Sequence, residues 1–405
     1  MVRLEPRLVT PRWLSPAITL GAVVVALVIS GAIIGFVGGD PVASYLHILN
    51  ASFGSIGVLS DTLVKATPLI LTGLACALAF RMRLWNIGAE GQFLLGAWGA
   101  SAVVLFPLVP AGTPGIILIP LMMIAGMAAG AVWGLIPGVL RARLGVNEII
   151  TTLMLNYVAL AWIQFWVFGP WSQGGFQQSK PFPEAAWLPR LTDFAEIVPA
   201  FGGLTAHLGL VFGLVAAGLL WLFLERSRFG YEIRLIGDSP RAARYAGIDI
   251  GRRLIVVFAI SGALAGLAGM SEVNGAVHRL QDHISPGYGF TAVIVAYLAK
   301  FRPGRVVVAA ILFGALILAG REIQPSGVPA MIQGIILFTL IVGDVLVRYR
   351  VRIDRGGAAA IGGASTGGAP TGGAPTGGAP TGGAPTGGDA RPAAGAAAGA
   401  PRPGG

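Results

Sequence analysis

The chain has 405 residues, of which 55% are hydrophobic and only 11% are charged. Soluble domains carry roughly 25% charged residues, so this composition excludes an ordinary soluble protein and indicates a membrane protein. The formal net charge is +10. The basic residues fall in short clusters between apolar runs, and this pattern argues against the basic face expected of a nucleic-acid-binding protein.

Long apolar runs predict an all-α polytopic membrane protein, because a helix needs about 20 apolar residues to cross a bilayer and a β-barrel would show short alternating segments. The first run is too long for the apolar part of a cleavable signal and lacks a clear cleavage site, so we expect it to remain as a span. We predict ten transmembrane helices, some of them short or broken, at residues 17–37, 63–80, 91–109, 115–140, 149–168, 204–224, 254–274, 287–299, 306–320 and 328–347.

Basic clusters occur in every second connection between the predicted spans. Cytoplasmic loops are enriched in Arg and Lys, so this alternation places both termini and the basic segment 225–254 in the cytoplasm. The longest connection on the opposite side, residues 169–203, is expected to face outward.

The chain after residue 355 is composed mainly of Gly, Ala and Pro, and TGGAP is repeated four times from 366 to 385. Such a segment cannot bury enough apolar surface to offset the entropy lost on ordering. We therefore predict two regions, a transmembrane domain at 1–355 and a disordered cytoplasmic tail at 356–405.

No ATP-binding or catalytic motif is visible. A Walker A loop needs Lys followed by Ser or Thr, whereas Lys65, Lys180 and Lys300 are followed by Ala, Pro and Phe. The motifs HExxH and GxSxG are also absent from the sequence. The HRLQDH stretch at 278–283 raises the question of a metal site, but a solvated outer loop explains it and we predict neither a metal nor a catalytic residue.

The first polar motif is FRMRLWNIGAEGQFLLG, residues 80–96, which lies between two apolar runs. Glu90 is the acidic residue of this motif, and a charge in the middle of a bilayer costs about 2.5–3.5 kcal/mol on insertion scales. Gly88 and Gly91 weaken the helix, while Asn86 and Gln92 can satisfy backbone groups that a break sets free. Two interpretations stay open: a structural polar network at a helix break, or a direct part in the permeation path.

The second polar motif is GVNEIITTLMLNY, residues 145–157. Hydrogen bonds between helices explain such residues in many membrane proteins, and lining of a pore is the alternative. The polar residues concerned are Asn147, Glu148, Thr151, Thr152 and Asn156.

The third motif is the basic connection 225–254. A short helix is predicted at 241–246, because an N-cap, a first turn and a terminal glycine are supplied by Asp238, Ser239, Pro240 and Gly247. Basic loops are normally only signals of topology, and a capped helix adds docking of a partner as an alternative.

These motifs together resemble the permease subunits of bacterial ABC importers, in the family that includes branched-chain amino acid and ribose permeases, and most closely its nucleoside and simple-sugar branch. The likeness spans residues 63–347. KFRPG at 300–304 and the repetitive tail depart from it. The segments that carry the likeness are AFRMRLWNIGAEGQ from Ala79, GVNEIITTLMLNY from Gly145, IRLIGDSPRAARYAGI from Ile233 and SPGYGFTAVIVAYLA from Ser285.

The resemblance implies a multi-pass subunit of an importer for nucleosides or similar polar solutes such as simple sugars, in the bacterial cell membrane. It implies a second permease subunit, identical or homologous, a solute-binding lipoprotein outside the cell, and cytoplasmic ATPase subunits that hold ATP and Mg²⁺. The chain itself would then be neither an enzyme nor a cofactor-binding protein. The segment from Gly237 to Gly247 would couple to the ATPase, with Arg241 and Arg244 orienting it and Ala243 allowing close approach.

The residues alone also allow an ion-coupled secondary transporter that uses Glu90 or Glu148 as the coupling carboxylate. A purely structural membrane scaffold would explain the spans but not the clustered polar motifs.

Overall fold

The computed structural model describes residues 2–7, 11, 13–106, 108–110, 112–320 and 327–353, which are mostly helical. Within these ranges, seven helices are long and apolar enough to cross a membrane. The α-helices are α1 (Leu14–Phe36), α2 (Pro41–Phe53), α3 (Ile56–Arg81), α4 (Ala89–Leu105), α5 (Gly115–Leu144), α6 (Glu148–Phe168), α7 (Gly209–Arg226), α8 (Arg228–Asp238), α9 (Pro240–Tyr245), α10 (Ile250–Glu272), α11 (Tyr288–Leu298), α12 (Pro303–Ala319) and α13 (Val328–Arg348).

Each of the ten predicted spans is matched by one helix, namely α1, α3 to α7 and α10 to α13. The prediction of short or broken helices is confirmed, because α4 and α12 have 17 residues each and α11 has only 11. A π-helical turn, Val273–Val277, follows α10. The predicted tail at 356–405 lies outside the described residues.

Two helices were not predicted. In α2, Asp40 is the N-cap and its carboxylate accepts from the backbone N–H groups of Val42 and Ala43 at 2.9 and 3.1 Å. The segment contains Ser44, His47, Asn50 and Ser52 among its 13 residues, so it does not form a continuous apolar run. Helix α8 lies in the basic connection that was predicted to hold only one short helix, and Ser227 caps its start.

The centre of the bundle is formed by α3, which is buried almost throughout, and by α10. Glycines allow α4 and α5 to pack directly on α10, as is common where membrane helices approach closely. A Cβ atom placed at Gly130 of α5 lies 2.3 Å from the carbonyl oxygen of Gly262, and one placed at Gly96 of α4 lies 2.2 Å from the Cα of Gly266. Larger side chains at these crossings therefore require the helices to separate.

The two ends of the described chain lie side by side. Strand β1 (Val2–Pro6) pairs in antiparallel fashion with a strand at 349–353, and Val2 stands opposite Ile353. Just inside this ribbon, α1 packs against α13. This neighbourhood agrees with an even number of membrane crossings.

The connection between α6 and α7 contains a small hairpin and three short 3₁₀ turns. The hairpin strands are β2 (Ser172–Gln173) and β3 (Phe176–Ser179), and the strand at the carboxyl end of the described chain is β4 (Tyr349–Ile353). The 3₁₀ turns are Glu184–Ala186, Leu191–Phe194 and Pro199–Phe201. The amide nitrogen of Asn274 donates to the Ala186 carbonyl at 2.7 Å, so the connection is held against the π-helical turn.

Candidate functional site

The break between α3 and α4 is built around Asn86, whose side chain is fully buried. Its Nδ2 donates to Oε1 of Gln92 at 2.9 Å and to the Ser261 hydroxyl at 2.8 Å, and its Oδ1 accepts from the Gly88 N–H at 3.0 Å. Ser261 in turn donates to the Ala75 carbonyl at 2.8 Å. The side chain thus joins the break to α10 and to the middle of α3.

A second amide, Asn156 on α6, completes the break from the other side. Its Oδ1 accepts from the Gly91 N–H at 2.8 Å, and its Nδ2 donates to the Ile87 carbonyl at 2.9 Å. Thr152, one turn earlier, packs so closely that a Cβ atom at Gly88 would lie 2.9 Å from its Cβ. Both polar motifs therefore meet here, as hydrogen-bond partners of backbone groups that lipid cannot satisfy.

Glu90 caps the start of α11. The carboxylate is 7% exposed, and its Oε2 accepts from the Gly289 N–H at 2.6 Å. Ser285 hydrogen-bonds to the same carboxylate, and its own oxygen accepts from the N–H of Tyr288 at 3.0 Å. A Cβ atom at Gly289 would lie 2.1 Å from the Glu90 nitrogen, so only glycine permits this crossing. The carboxylate satisfies helix N–H groups that are buried inside the bundle.

The other residues of the second motif do not join this network. Asn147 caps α6 by accepting from the Ile149 N–H at 2.9 Å, and Thr151 donates to the Asn147 carbonyl at 2.9 Å. The Glu148 carboxylate lies 3.2 Å from Nε of Arg141 at the end of α5. These groups hold the turn between α5 and α6 together.

A buried ion pair was not singled out from the sequence. Nζ of Lys65 on α3 lies 3.0 Å from Oε1 of Glu272 at the end of α10. The Tyr288 hydroxyl lies 3.3 Å from both groups. A lysine and a glutamate inside predicted spans are a signal in themselves, because charges in membrane helices usually pair with one another.

Helix α9 has the predicted caps. The Ser239 hydroxyl accepts from the Ala242 N–H at 3.3 Å, Pro240 is the first helical residue, and Gly247 follows the helix at φ +74°. Asp238 ends α8 instead of capping α9. The helix ends at Tyr245, one residue before the predicted end.

The expectation that Ala243 allows close approach of a partner is wrong. Ala243 is fully buried within the chain, because this side of α9 packs against its own protein. The exposed side carries Arg241, Arg244 and Tyr245, and Tyr245 is 95% exposed. This tyrosine was not singled out from the sequence, although tyrosine is enriched among the residues that contribute most to protein interfaces.

Helix α8 contacts the bundle at two points. The buried carboxylate of Glu232 pairs with Arg228 on α8 itself at 3.2 Å and with Arg253 on α10 at 2.5 Å. Near the carboxyl end of α8, a Cβ atom at Gly237 would lie 2.2 Å from the Arg81 carbonyl oxygen, so α8 touches the end of α3. Helix α8 is therefore in direct contact with the helix that leads into the break.

The two histidines of the HRLQDH stretch have different surroundings, since one packs against the protein and the other is exposed to solvent. The His278 ring stacks on Trp187 with centroids 4.0 Å apart, whereas the His283 side chain is 86% exposed. Burial is the main cause that lowers the pKa of His278 to about 4, so this ring is neutral at pH 7. In the part of the chain that the structure describes, no three His, Cys, Asp or Glu side chains are grouped to hold a metal ion.

Comparison with known families decides the class of this protein. A family model described as the permease component of the branched-chain amino acid transport system matches residues 58–343. The chain belongs to this family. The match includes the break between α3 and α4, the α8–α9 segment and the start of α11, and it leaves out α1 and α2.

Curated relatives extend this finding to most of the chain. A glucose ABC transporter permease protein of Haloferax volcanii is 37% identical, and the alignment covers 88% of this chain and 95% of the relative. A guanosine ABC transporter permease protein of Bacillus subtilis, NupP, is 35% identical over 81% of this chain and 92% of its own. Another from the same organism, NupQ, is 28% identical over 64% and 79%. This permease is thus a multi-pass membrane protein.

Proposed function

We propose that this chain is the membrane subunit of an ATP-driven importer for nucleosides or similar polar small solutes such as simple sugars. The observation that carries the proposal is the likeness to permeases named for guanosine and glucose, which extends over 81% and 88% of the chain. The two named solutes share ring oxygens and several hydroxyl groups. A polyhydroxylated solute is therefore the chemical class that we expect.

We assign a structural role to the polar network around the break between α3 and α4, because its polar groups already bond to one another and to the backbone. Asn86, Gln92 and Asn156 use their amide groups on one another and on backbone groups around the break. Glu90 is engaged at the start of α11. We assign these residues to holding two interrupted helices in place, so that the helices can shift as units during transport.

The assembly that we propose contains a second permease subunit, cytoplasmic ATPase subunits with ATP and Mg²⁺, and a solute-binding lipoprotein outside. Two guanosine permease proteins of one organism both resemble this chain, and this favours a pair of permeases. We expect the ATPase to contact the exposed side of α9 at Arg241, Arg244 and Tyr245. The contact of Gly237 with the end of α3 gives a route from this surface to the break.

Uptake by reconstituted vesicles tests the proposal. The chain is coexpressed with an ATPase, a second permease and a solute-binding protein from the same organism, and uptake of labelled guanosine and glucose is measured. We expect uptake of at least one solute to require the binding protein and hydrolysable ATP, and a non-hydrolysable ATP analogue serves as the control. Uptake that persists without the ATPase would contradict the proposal.

The ion-coupled alternative is not favoured. Glu148 is paired with Arg141, and the Glu90 carboxylate is hydrogen-bonded to the backbone of α11. Coupling by protonation would require one of these bonds to break in each cycle. The relatives named above are all ABC transporter permeases.

A further inference from the structure

A cavity of about 540 Å³ lies where the ends of α3, α8, α11 and α13 meet the first turns of α1. We call it the cytoplasmic cavity, because the basic clusters place these helix ends on the cytoplasmic side. Its walls lie within about two turns of the ends of α1 and α13. Because the head-group regions border the roughly 30 Å hydrocarbon core of a bilayer, we expect the cavity to lie at the level of the head groups. The cationic side chains that line it are Arg81, Arg83, Arg234, Lys300 and Arg348.

The positive charge of the cavity is only partly balanced. Two carboxylates, Asp238 and Asp344, also line it. Glu225, at the end of α7, pairs with Arg81 at 3.3 Å and with Arg234 at 2.8 Å. The Asp344 carboxylate forms an ion pair with the Arg348 guanidinium on the same helix, at 2.9 Å.

Two cations have no carboxylate partner among the described residues. Arg83 is exposed and makes no ion pair there. Among the described residues, the hydrogen-bond partners of the Lys300 ammonium are the carbonyl and hydroxyl oxygens of Ser15. Burial lowers the pKa of Lys300, and the charge of Asp344 offsets this only in part. An additional anion in the cavity would therefore balance the charges of Arg83 and Lys300.

The backbone holds both cations in a conformation that normally belongs to glycine. Arg83 follows α3 at φ +57°, and Lys300 follows α11 at φ +49°. In both cases the residue's own N–H group donates to a carbonyl oxygen of the last helical turn. Arg83 donates to Phe80 at 2.9 Å, and Lys300 donates to Tyr297 at 3.0 Å. Other helices here use glycine after the end, as Gly145 does after α5.

The capping of α3 and α11 does not explain why arginine and lysine, and not glycine, occupy these two positions. A left-handed conformation costs a residue with a Cβ atom roughly 1–2 kcal/mol. The terminal carbonyls of α3 and α11 are already satisfied by backbone N–H groups. The cations are therefore not needed to satisfy them, although their charge also suits a helix C-terminus.

We propose that the cytoplasmic cavity binds a phosphate group through Arg83 and Lys300, with the ring of Trp85 beside it. Arginine and lysine are the side chains that recognise phosphate, and basic pockets between membrane helices on the cytoplasmic side hold lipid head groups. The phosphate comes either from an anionic phospholipid or from a soluble phosphate. The chemistry is the same for both, and the site is independent of which solute is imported.

Thermal unfolding of the full-length chain in dodecyl maltoside micelles, which contain no phosphate, separates the two sources. In the first arm, the micelles receive inorganic phosphate, with chloride at equal ionic strength as the reference. In the second arm, phosphatidylglycerol is added to the micelles and no inorganic phosphate is present. We expect a saturable rise of the unfolding midpoint in one arm, which identifies the source.

The decisive variant is Arg83→Gly. Glycine suits the left-handed position, so the ligand-free midpoint should stay equal or rise, and misfolding is thereby excluded as a cause. Loss of one charge-assisted contact should weaken the response roughly tenfold. Lys300→Gly should act in the same direction. The matched control is Arg143→Gln, an exposed arginine at the end of α5 outside the cavity.

Two results would overturn the site. The first is a wild-type protein whose midpoint responds to neither phosphate nor phosphatidylglycerol. The second is an equal loss of response in Arg143→Gln and Arg83→Gly, because general surface charge would then explain the effect.

Discussion

Glu90 shows how a carboxylate can be accommodated inside a membrane protein by capping a helix. Helix α11 begins at Tyr288 within the bundle, where neither lipid nor water can satisfy its first N–H groups. The positive end of a helix favours an anion, and the Glu90 carboxylate accepts from the second N–H at 2.6 Å. The carboxylate therefore replaces solvent at an interruption between spans.

Two substitutions of Glu90 distinguish the loss of its negative charge from the loss of its hydrogen-bond acceptor. Glu90→Gln keeps an oxygen acceptor for the Gly289 N–H, so the protein should fold and retain part of its uptake. Glu90→Leu leaves that N–H unsatisfied, which costs about 1–3 kcal/mol and should abolish uptake. Thermal unfolding and vesicle uptake measure the two effects.

Glu196→Gln is the control for this pair, because Glu196 is an exposed carboxylate in the connection between α6 and α7. It should leave both measurements unchanged. Equal behaviour of Glu90→Gln, Glu90→Leu and the wild type would show that the cap contributes nothing. Full uptake by Glu90→Gln would also remove proton coupling through this residue.

Helix α9 is a small element whose two sides have different tasks. One side is fixed to the bundle by buried Ala243, and the other presents Tyr245 at 95% exposure. Exposed tyrosines that become buried at an interface often contribute more than 1 kcal/mol to binding. This arrangement supports the proposal that the exposed side of α9 contacts the ATPase.

Tyr245→Ala is expected to uncouple the transporter. The permease should insert and unfold at the normal temperature, because the side chain packs on nothing in its own chain. Stimulation of ATP hydrolysis by solute should fall by roughly tenfold or more. ATPase activity of the reconstituted complex measures this.

Tyr157→Ala is the matched control, because Tyr157 is 64% exposed on α6 and lies outside the α8–α9 segment. Normal stimulation in Tyr245→Ala would remove this face from the coupling surface. Ala243→Trp cannot serve as a test of docking, since a large side chain at a fully buried position disturbs the fold itself.

The crossing of α4, α5 and α10 depends on glycine at Gly266. A Cβ atom there would lie 2.2 Å from the Gly126 carbonyl oxygen, so Gly266→Ala should lower the unfolding midpoint and the yield of folded protein. Gly218→Ala on α7 is the control, because no atom lies within 4 Å of its Cβ position. Alanine there should be neutral or stabilise the helix by up to about 1 kcal/mol. Equal effects of the two substitutions would show that the crossing tolerates a methyl group.

Seen as a whole, the molecule must alternate between two sides of a membrane. We expect a cysteine at Gln177 to react with an impermeant reagent from outside and a cysteine at Arg244 only from the cytoplasm. Both positions are exposed, and the natural Cys76 is fully buried, so the background should be low. Cys76→Ser provides the reference. Reaction of both sites from one side would contradict the ten-span arrangement.

Much of this arrangement could be predicted from the sequence, because apolar length is a local property. The spans and the caps of α9 depend on neighbouring residues, and the amides Asn86 and Gln92 bond across only six positions. The partner of Glu90 lies 199 positions away, so no local pattern could identify it. The burial of Ala243 likewise depends on packing between distant elements. Helix α2 was not predicted because polar residues such as His47 and Asn50 interrupt its apolar stretch.

The ribbon of β1 and β4 has a consequence for how the protein is made. Val2 is synthesised before, and Ile353 after, every helix of the described chain, yet they pair. Helix α1 likewise packs on α13, which is the last helix in sequence order among the described residues. The first helix must therefore wait in the lipid without its partner until synthesis is nearly complete. Closure of the bundle is thus a late, post-insertion step, and a truncated chain that lacks α13 should leave α1 available to quality-control proteases.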